Sequence, residues 1–128
     1  MSKDLLYKTK RGSFYLGDSI NLIKNELSKN LKDKINLIIT SPPFPLNQKK
    51  RYGNYKGTEY KEWFINLAPL LSDLLAPDGS IVIEVGNAWE PGIPFQSTLH
   101  LESLIGFVKH PKAGLSLCQE LICYNPSR

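Results

Sequence analysis

Apolar positions along this chain switch repeatedly between strand-like and helix-like spacing. Residues 12–17 read as a short strand, with Phe14 and Leu16 on one side and Tyr15 on the other. Asp18 then stands where a helix N-cap belongs. In the helix that follows, Ile20, Ile23, Leu27 and Leu31 share one stripe and Lys24, Lys29 and Lys32 fall outside it. Residues 35–40, Ile-Asn-Leu-Ile-Ile-Thr, have too few polar positions for a half-exposed strand, which predicts a central strand of a parallel sheet. A second helix is predicted from Thr58 to about Leu75, with Trp63, Phe64, Leu67, Leu71 and Leu74 as its apolar set. Pro69 lies inside it and is expected to kink or split it. Asp78-Gly79 predicts a turn and residues 80–85 the next buried strand. Residues 86–95, rich in glycine and proline, read as a loop, and residues 97–109 as a third helix closed by His110-Pro111-Lys112-Ala113-Gly114. Residues 117–124 are predicted to form a last strand.

Strand, helix, strand, helix, strand, helix, strand is the signature of an α/β fold with a mostly parallel sheet flanked by helices. Ligands in such sheets bind beyond the carboxyl ends of the strands. Three polar side chains fall at those ends: Asp18, Ser41 and Glu84.

Composition narrows the class without changing this picture. The chain has 128 residues and a formal net charge of +4, which suits one small domain or part of a larger one. No apolar run approaches the roughly 20 residues that span a bilayer, so no membrane partner is expected. The N-terminus lacks the apolar core of a secretory signal. Cys118 and Cys123 have the odd spacing that places them on opposite faces of a strand, which fits free thiols better than a disulfide or metal pair. His100 and His110 belong to no metal-ligand pattern. Together these features predict a reducing, cytoplasmic setting and no metal.

The strongest chemical signal is Ser41-Pro42-Pro43-Phe44, directly after the apolar strand. Each proline fixes φ and removes a backbone donor, and the residue before a proline is pushed to an extended conformation. The Ser41 hydroxyl and the Pro42 carbonyl can therefore serve as acceptors while Phe44 offers a stacking face. That combination suits a flat, amino-bearing ring. The plain alternative is a proline-rich turn after a core strand. Shortly downstream, Lys49, Lys50, Arg51 and Lys56 cluster with Tyr52 and Tyr55, with no acid among them. Such a cluster is either a solvated loop or a phosphate-contacting segment.

In chain order, Thr40-Ser41-Pro42-Pro43-Phe44, the basic segment, Glu59-Tyr60-Lys61-Glu62-Trp63-Phe64 and Pro77-Asp78-Gly79-Ser80-Ile81-Val82-Ile83 resemble the amino-group DNA methyltransferases, specifically the cytosine-N4 enzymes of restriction–modification systems. Gly17-Asp18-Ser19 and Tyr124-Asn125-Pro126-Ser127 fit the same pattern, so the likeness runs from about Gly12 to Arg128. The resemblance implies part of a Rossmann-like, S-adenosylmethionine-dependent methyltransferase fold acting on double-stranded DNA. It further implies methyl transfer to the exocyclic amine of a flipped cytosine, since a base inside a duplex is out of reach. Such an amine is a poor nucleophile because its lone pair is delocalised into the ring. Two acceptors at its hydrogens, Ser41 Oγ and the Pro42 carbonyl, would localise that lone pair, and Phe44 would stack on the base. No cysteine stands near the turn, which fits direct transfer to the amine.

By the same likeness Glu84 would contact the ring nitrogen, where desolvation would raise its pKa and ready it as a donor. Its alternative is a carboxylate reaching solvent at the strand end. Asp18 would contact the cofactor, or serve simply as a helix cap. Tyr124 would help clamp the base, or pack in the core. Lys49, Lys50 and Arg51 would meet DNA phosphates. Serine at the head of the turn favours cytosine by family correlation, which leaves adenine-N6 transfer as the nearest rival, and a non-catalytic DNA-binding or partner-assembling fragment as another. One family feature is missing: the nine glycines never form the Phe-x-Gly-x-Gly cofactor loop. The chain is therefore expected to be the N-terminal catalytic portion of such an enzyme, truncated or split, with the cofactor loop and most of the target-recognition region elsewhere, possibly on a C-terminal partner chain. Alone, it is expected to be inactive.

Overall fold

The computed structural model of the protein describes residues 4–44 and 57–126. It divides into two compact units, one joining Met1–Ser41 with Asp73–Glu84 and the other joining Pro42–Ser72 with Val85–Arg128.

The first unit opens with a feature that the apolar pattern did not announce. Strand β1 (Leu5–Lys8) pairs antiparallel with β2 (Ser13–Tyr15), across a turn in which Thr9 N–H donates to the Gly12 carbonyl at 2.7 Å. The first predicted strand thus exists, but in a two-stranded ribbon of its own and not in the parallel sheet. Tyr7 and Phe14 stack across the ribbon, with centroids 5.4 Å apart.

The helical run that follows is capped as expected: Asp18 Oδ1 accepts from Asn21 N–H at 2.8 Å. It comprises α1 (Ser19–Leu22), a π-helical stretch (Ile23–Leu27) and α2 (Ser28–Leu31). The predicted stripe of Ile20, Ile23, Leu27 and Leu31 is half-buried while Lys24, Lys29 and Lys32 are exposed, and the one fully buried residue of the run is Leu22, which the stripe did not include. Asp33, at φ 56°, turns the chain out of the helix, a conformation that aspartate tolerates better than most residues.

β3 (Ile35–Thr40) and β4 (Leu75–Ile83) form a two-stranded parallel sheet. Between the pairs Ile35↔Leu75 and Leu37↔Ser80 the register jumps, so Asp78-Gly79 is a bulge inside β4 and not a turn before it. Glycine is required there, because a Cβ at Gly79 would lie 2.7 Å from the Ile35 carbonyl oxygen. Neither strand is buried as its composition suggested. Leu37, Ile39 and Val82 are all at least half exposed.

The second unit rests on a helix pair. α3 (Gly57–Ser72) buries Tyr60, Phe64, Ala68 and Leu71, spaced as one face of a helix. α4 (Leu99–Val108) buries Leu99, Ser103 and Phe107. Phe64 and Phe107 meet with centroids 5.2 Å apart and ring planes at 52°. The helices close in at Gly106, where a Cβ would collide with the Ile65 side chain. Pro69 does not split α3. It sits in the last turn, where only the bond to the Ile65 carbonyl is lost, and the helix continues to Ser72.

The expected strand over residues 117–124 is absent. Residues 115–125 carry no regular secondary structure. A strand needs a ladder, and none of the described strands pairs with this segment.

Candidate active site

The parallel pairing of β3 and β4 sets two of the three strand-end candidates side by side. Thr40 pairs with Ile83, and Glu84 N–H donates to the Thr40 carbonyl at 3.0 Å. Ser41 and Glu84, each one residue further on, therefore leave the carboxyl ends of neighbouring strands, a strand spacing of about 5 Å apart. Both are exposed. Two oxygen-bearing side chains at the edge of a parallel sheet suit a ligand carrying hydrogen-bond donors and acceptors together. The desolvation that a proton-donor role for Glu84 requires is not supplied by the described residues, which leave its carboxylate open to solvent.

Asp18 does not join this pair through the sheet, because β2 pairs with β1 and not with β3. Its carboxylate already caps the helix that it begins, as the simpler reading held.

Phe44 belongs to the second unit, and there it lies against Gly86. A Cβ at Gly86 would run into the Phe44 ring. The absent side chain lets the ring lie against backbone. The sequence reading passed over Gly86 as one more loop glycine; its position right after the Glu84-bearing strand was the available signal. From Gly86 the chain enters a small hairpin. Ser97 N–H donates to Ala88 at 2.7 Å, Glu90 N–H donates to Phe95 at 3.0 Å, and Trp89 bridges Gln96. Gly92, at φ 74°, makes the turn.

Tyr124 is 84% exposed, so the core reading of this residue is wrong. Lys49, Lys50 and Arg51 lie outside the described residues.

The sequence profile of the DNA methylase family matches residues 35–113, more than half of the chain. The chain belongs to this family. The matched stretch contains Ser41, Pro42, Pro43, Phe44 and Glu84, whereas Asp18 and Tyr124 lie outside it. The chain is 37% identical over 122 residues, 95% of its length, to the type II methyltransferase M.PvuII of Proteus hauseri. Among solved structures it matches the PvuII DNA methyltransferase (cytosine-N4-specific) over 86% of its length, with a TM-score of 0.67 and 37% identity. It thus has the α/β fold of part of a methyltransferase. It spans about a third of these relatives, 34% of M.PvuII and 38% of the solved chain. No helix among the described residues is long and apolar enough to cross a membrane, and no cluster of His, Cys, Asp or Glu among them could hold a metal ion.

Proposed function

We propose that this chain is the base-holding portion of a cytosine-N4 DNA methyltransferase that uses S-adenosylmethionine. The observation that carries the reading is the juxtaposition of Ser41 and Glu84 at neighbouring strand ends, inside the stretch that matches the DNA methylase family. In this reading Ser41 Oγ and the Pro42 carbonyl accept the two hydrogens of a flipped cytosine amine. Phe44 lies against the ring, held in place by Gly86. Glu84 faces the ring nitrogen and acquires a desolvated setting only once base and further protein cover it. Tyr124 helps to enclose the base. Holding the amine in the orientation for attack would supply most of the rate that this chain contributes.

The described residues do not make a complete holder for the cofactor. Asp18 is engaged as a helix cap, and the sequence contains no Gly-x-Gly. The cofactor loop therefore belongs, in this proposal, to a complementary methylase region, and Asp18 at most borders its site. Residues 1–128 form the catalytic-turn region and most of the target-recognition region lies outside it.

Lys49, Lys50 and Arg51 are assigned to DNA phosphates. Replacing all three with alanine should weaken binding to every duplex alike and lower the slope of log affinity against log salt by up to about 3 units. An unchanged slope in a salt titration would return them to a solvated loop. The test of the proposed activity is mass-spectrometric analysis of duplex DNA after incubation with S-adenosylmethionine, this chain and the part of M.PvuII outside the matched region. N4-methylcytosine is expected. N6-methyladenine would establish the rival base, and unmodified DNA would favour a non-catalytic fragment.

A further inference from the structure

The small hairpin of residues 88–96 is held at its feet and apolar at its tip. One foot follows Gly86, against whose backbone the Phe44 ring lies. The other is Ser97, which is buried where the chain enters α4. Its N–H donates to the Ala88 carbonyl at 2.7 Å, and its Oγ accepts from Leu99 N–H at 3.3 Å. Higher up, Glu90 N–H donates to the Phe95 carbonyl at 3.0 Å, and Gly92, at φ 74°, turns the chain between Pro91 and Pro94. Both prolines fix φ and stiffen the turn. At this stiff tip Ile93 and Phe95 are 46% and 55% exposed. The core of the unit does not account for them, since it is made by Tyr60, Phe64, Ala68, Leu71, Leu99 and Phe107. Charge excludes one use of the tip. Residues 88–96 contain no Lys, Arg or His and a single acid, Glu90. Such a surface offers phosphates nothing. Base planes are different, because isoleucine, proline and phenylalanine are side chains that insert between base steps.

We infer that Ile93, Pro94 and Phe95 form a wedge that enters the base stack of duplex DNA beside the flipped nucleotide and fills the place it leaves. Position supports this occupant. Phe44, the proposed stacking partner of the flipped cytosine, rests on Gly86. At most about 7 Å of chain leads from Gly86 to Ala88, and at most about 18 Å more leads to Ile93. A groove of the duplex is about 6–12 Å wide, so a finger rooted at the base-holding ring is long enough to cross one. Flipping a base costs the stacking of its neighbours, and an apolar wedge in the gap offsets that cost. A protein partner suits the tip less well. A stable protein interface takes about 20–30 residues a side, and the tip presents three. The inference rests on the methyltransferase reading for the identity of the DNA partner, and it adds positioning residues which that reading does not contain.

A duplex with an abasic site opposite guanine and 2-aminopurine beside it presents the gap ready-made. Binding to it requires neither a recognition sequence nor methyl transfer. The chain should bind this duplex at least about fivefold more tightly than the intact one, and the 2-aminopurine emission should change as the wedge packs on it. Phe95→Ala and Ile93→Ala should each bring that ratio toward one, with affinity for the intact duplex held within about twofold and the salt slope unchanged. Phe95→Leu keeps an apolar wedge and should keep most of the preference. Both side chains are about half exposed, so the variants should fold as the parent does, which circular dichroism checks. Equal affinity of the parent for the two duplexes, no binding to either, or a preference that survives in both alanine variants would overturn the wedge. The methyltransferase reading fails separately. A gap preference lost in the variants, without N4-methylcytosine in the mixture described above, would support the wedge and count against the enzyme. N4-methylcytosine formed equally by parent and variants, without a gap preference, would support the enzyme and reject the wedge.

Discussion

The helix pair α3–α4 and the sheet β3–β4 are built from equally apolar sequence, yet one is finished and the other is not. Tyr60, Phe64 and Phe107 of the helix pair are almost completely buried, whereas Leu37, Ile39 and Val82 leave at least half their surface in solvent. A helix satisfies its backbone internally and needs one neighbour for its apolar stripe. A parallel strand needs neighbours on both edges and cover on both faces. One chain can therefore close a helix pair and still leave its sheet open among the described residues. The residues proposed to hold the base, Ser41 and Glu84, stand on the incomplete element, and that is why their surroundings are still open.

The sharpest way to break this contrast is to empty the finished side. Phe64→Ala should cost about 3–5 kcal/mol, enough to abolish cooperative unfolding of the helix pair in a urea titration followed by circular dichroism. A loss below about 1 kcal/mol would mean that this core does not carry the second unit.

Tyr60 offers a pH-dependent version of the same test. Burial raises its phenol to about 12 from the usual 10. Its hydroxyl is among the buried polar groups without a hydrogen-bond partner. The unfolded chain releases this proton from about pH 10, while the folded chain keeps it until about pH 12. The contribution is therefore present below pH 10 and is lost as pH rises toward 12, on the order of 2 kcal/mol in all. Tyr60→Phe should flatten that alkaline decline and leave stability at neutral pH unchanged or higher, since it also removes an unsatisfied polar group. A variant as alkali-sensitive as the parent would place the titrating group elsewhere.

The smallest effect belongs to the open sheet. Ile39→Ala should change the stability of this chain by no more than about 0.5 kcal/mol, because the side chain is already 71% exposed. The same substitution should cost more once the complementary polypeptide is present. Equal cost with and without that polypeptide, measured by thermal melting, would show that the sheet gains no cover.

What the sequence revealed follows the same division. The existence of α3, the extent of α4, the Asp18 cap and the parallel order of β3 and β4 were legible, because each depends on local spacing or on the chain's own crossovers, whereas of the predicted apolar set of α3 only Phe64 and Leu71 are among the residues the helix buries, with Tyr60 and Ala68 missed. β1 was missed because Leu5-Leu6-Tyr7-Lys8 is short and is fixed only by pairing with β2 across the Thr9–Gly12 turn. The expected strand at 117–124 had the right pattern and no partner. A strand is a relation between segments, so its pattern cannot form it alone. At the candidate site the sequence located Ser41 and Glu84, and their parallel pairing explains why they are adjacent. For Glu84 it offered two readings, a contact to the base and a carboxylate reaching solvent, and could not choose between them, because the choice depends on what covers the sheet edge. Nor did it reveal that Phe44 rests on Gly86, a contact between residues far apart in the chain.

The central claim is that the turn beginning at Ser41 holds a cytosine amine. Its most direct test is single-turnover methylation of duplex DNA by the chain supplemented with the M.PvuII polypeptide, comparing the parent with Ser41→Ala and measuring DNA affinity alongside. Loss of one charge-neutral acceptor bond at a buried amine should slow N4-methylcytosine formation about tenfold or more while DNA affinity stays within about twofold. An undiminished rate in Ser41→Ala, or a rate that falls only in proportion to DNA affinity, would contradict the claim.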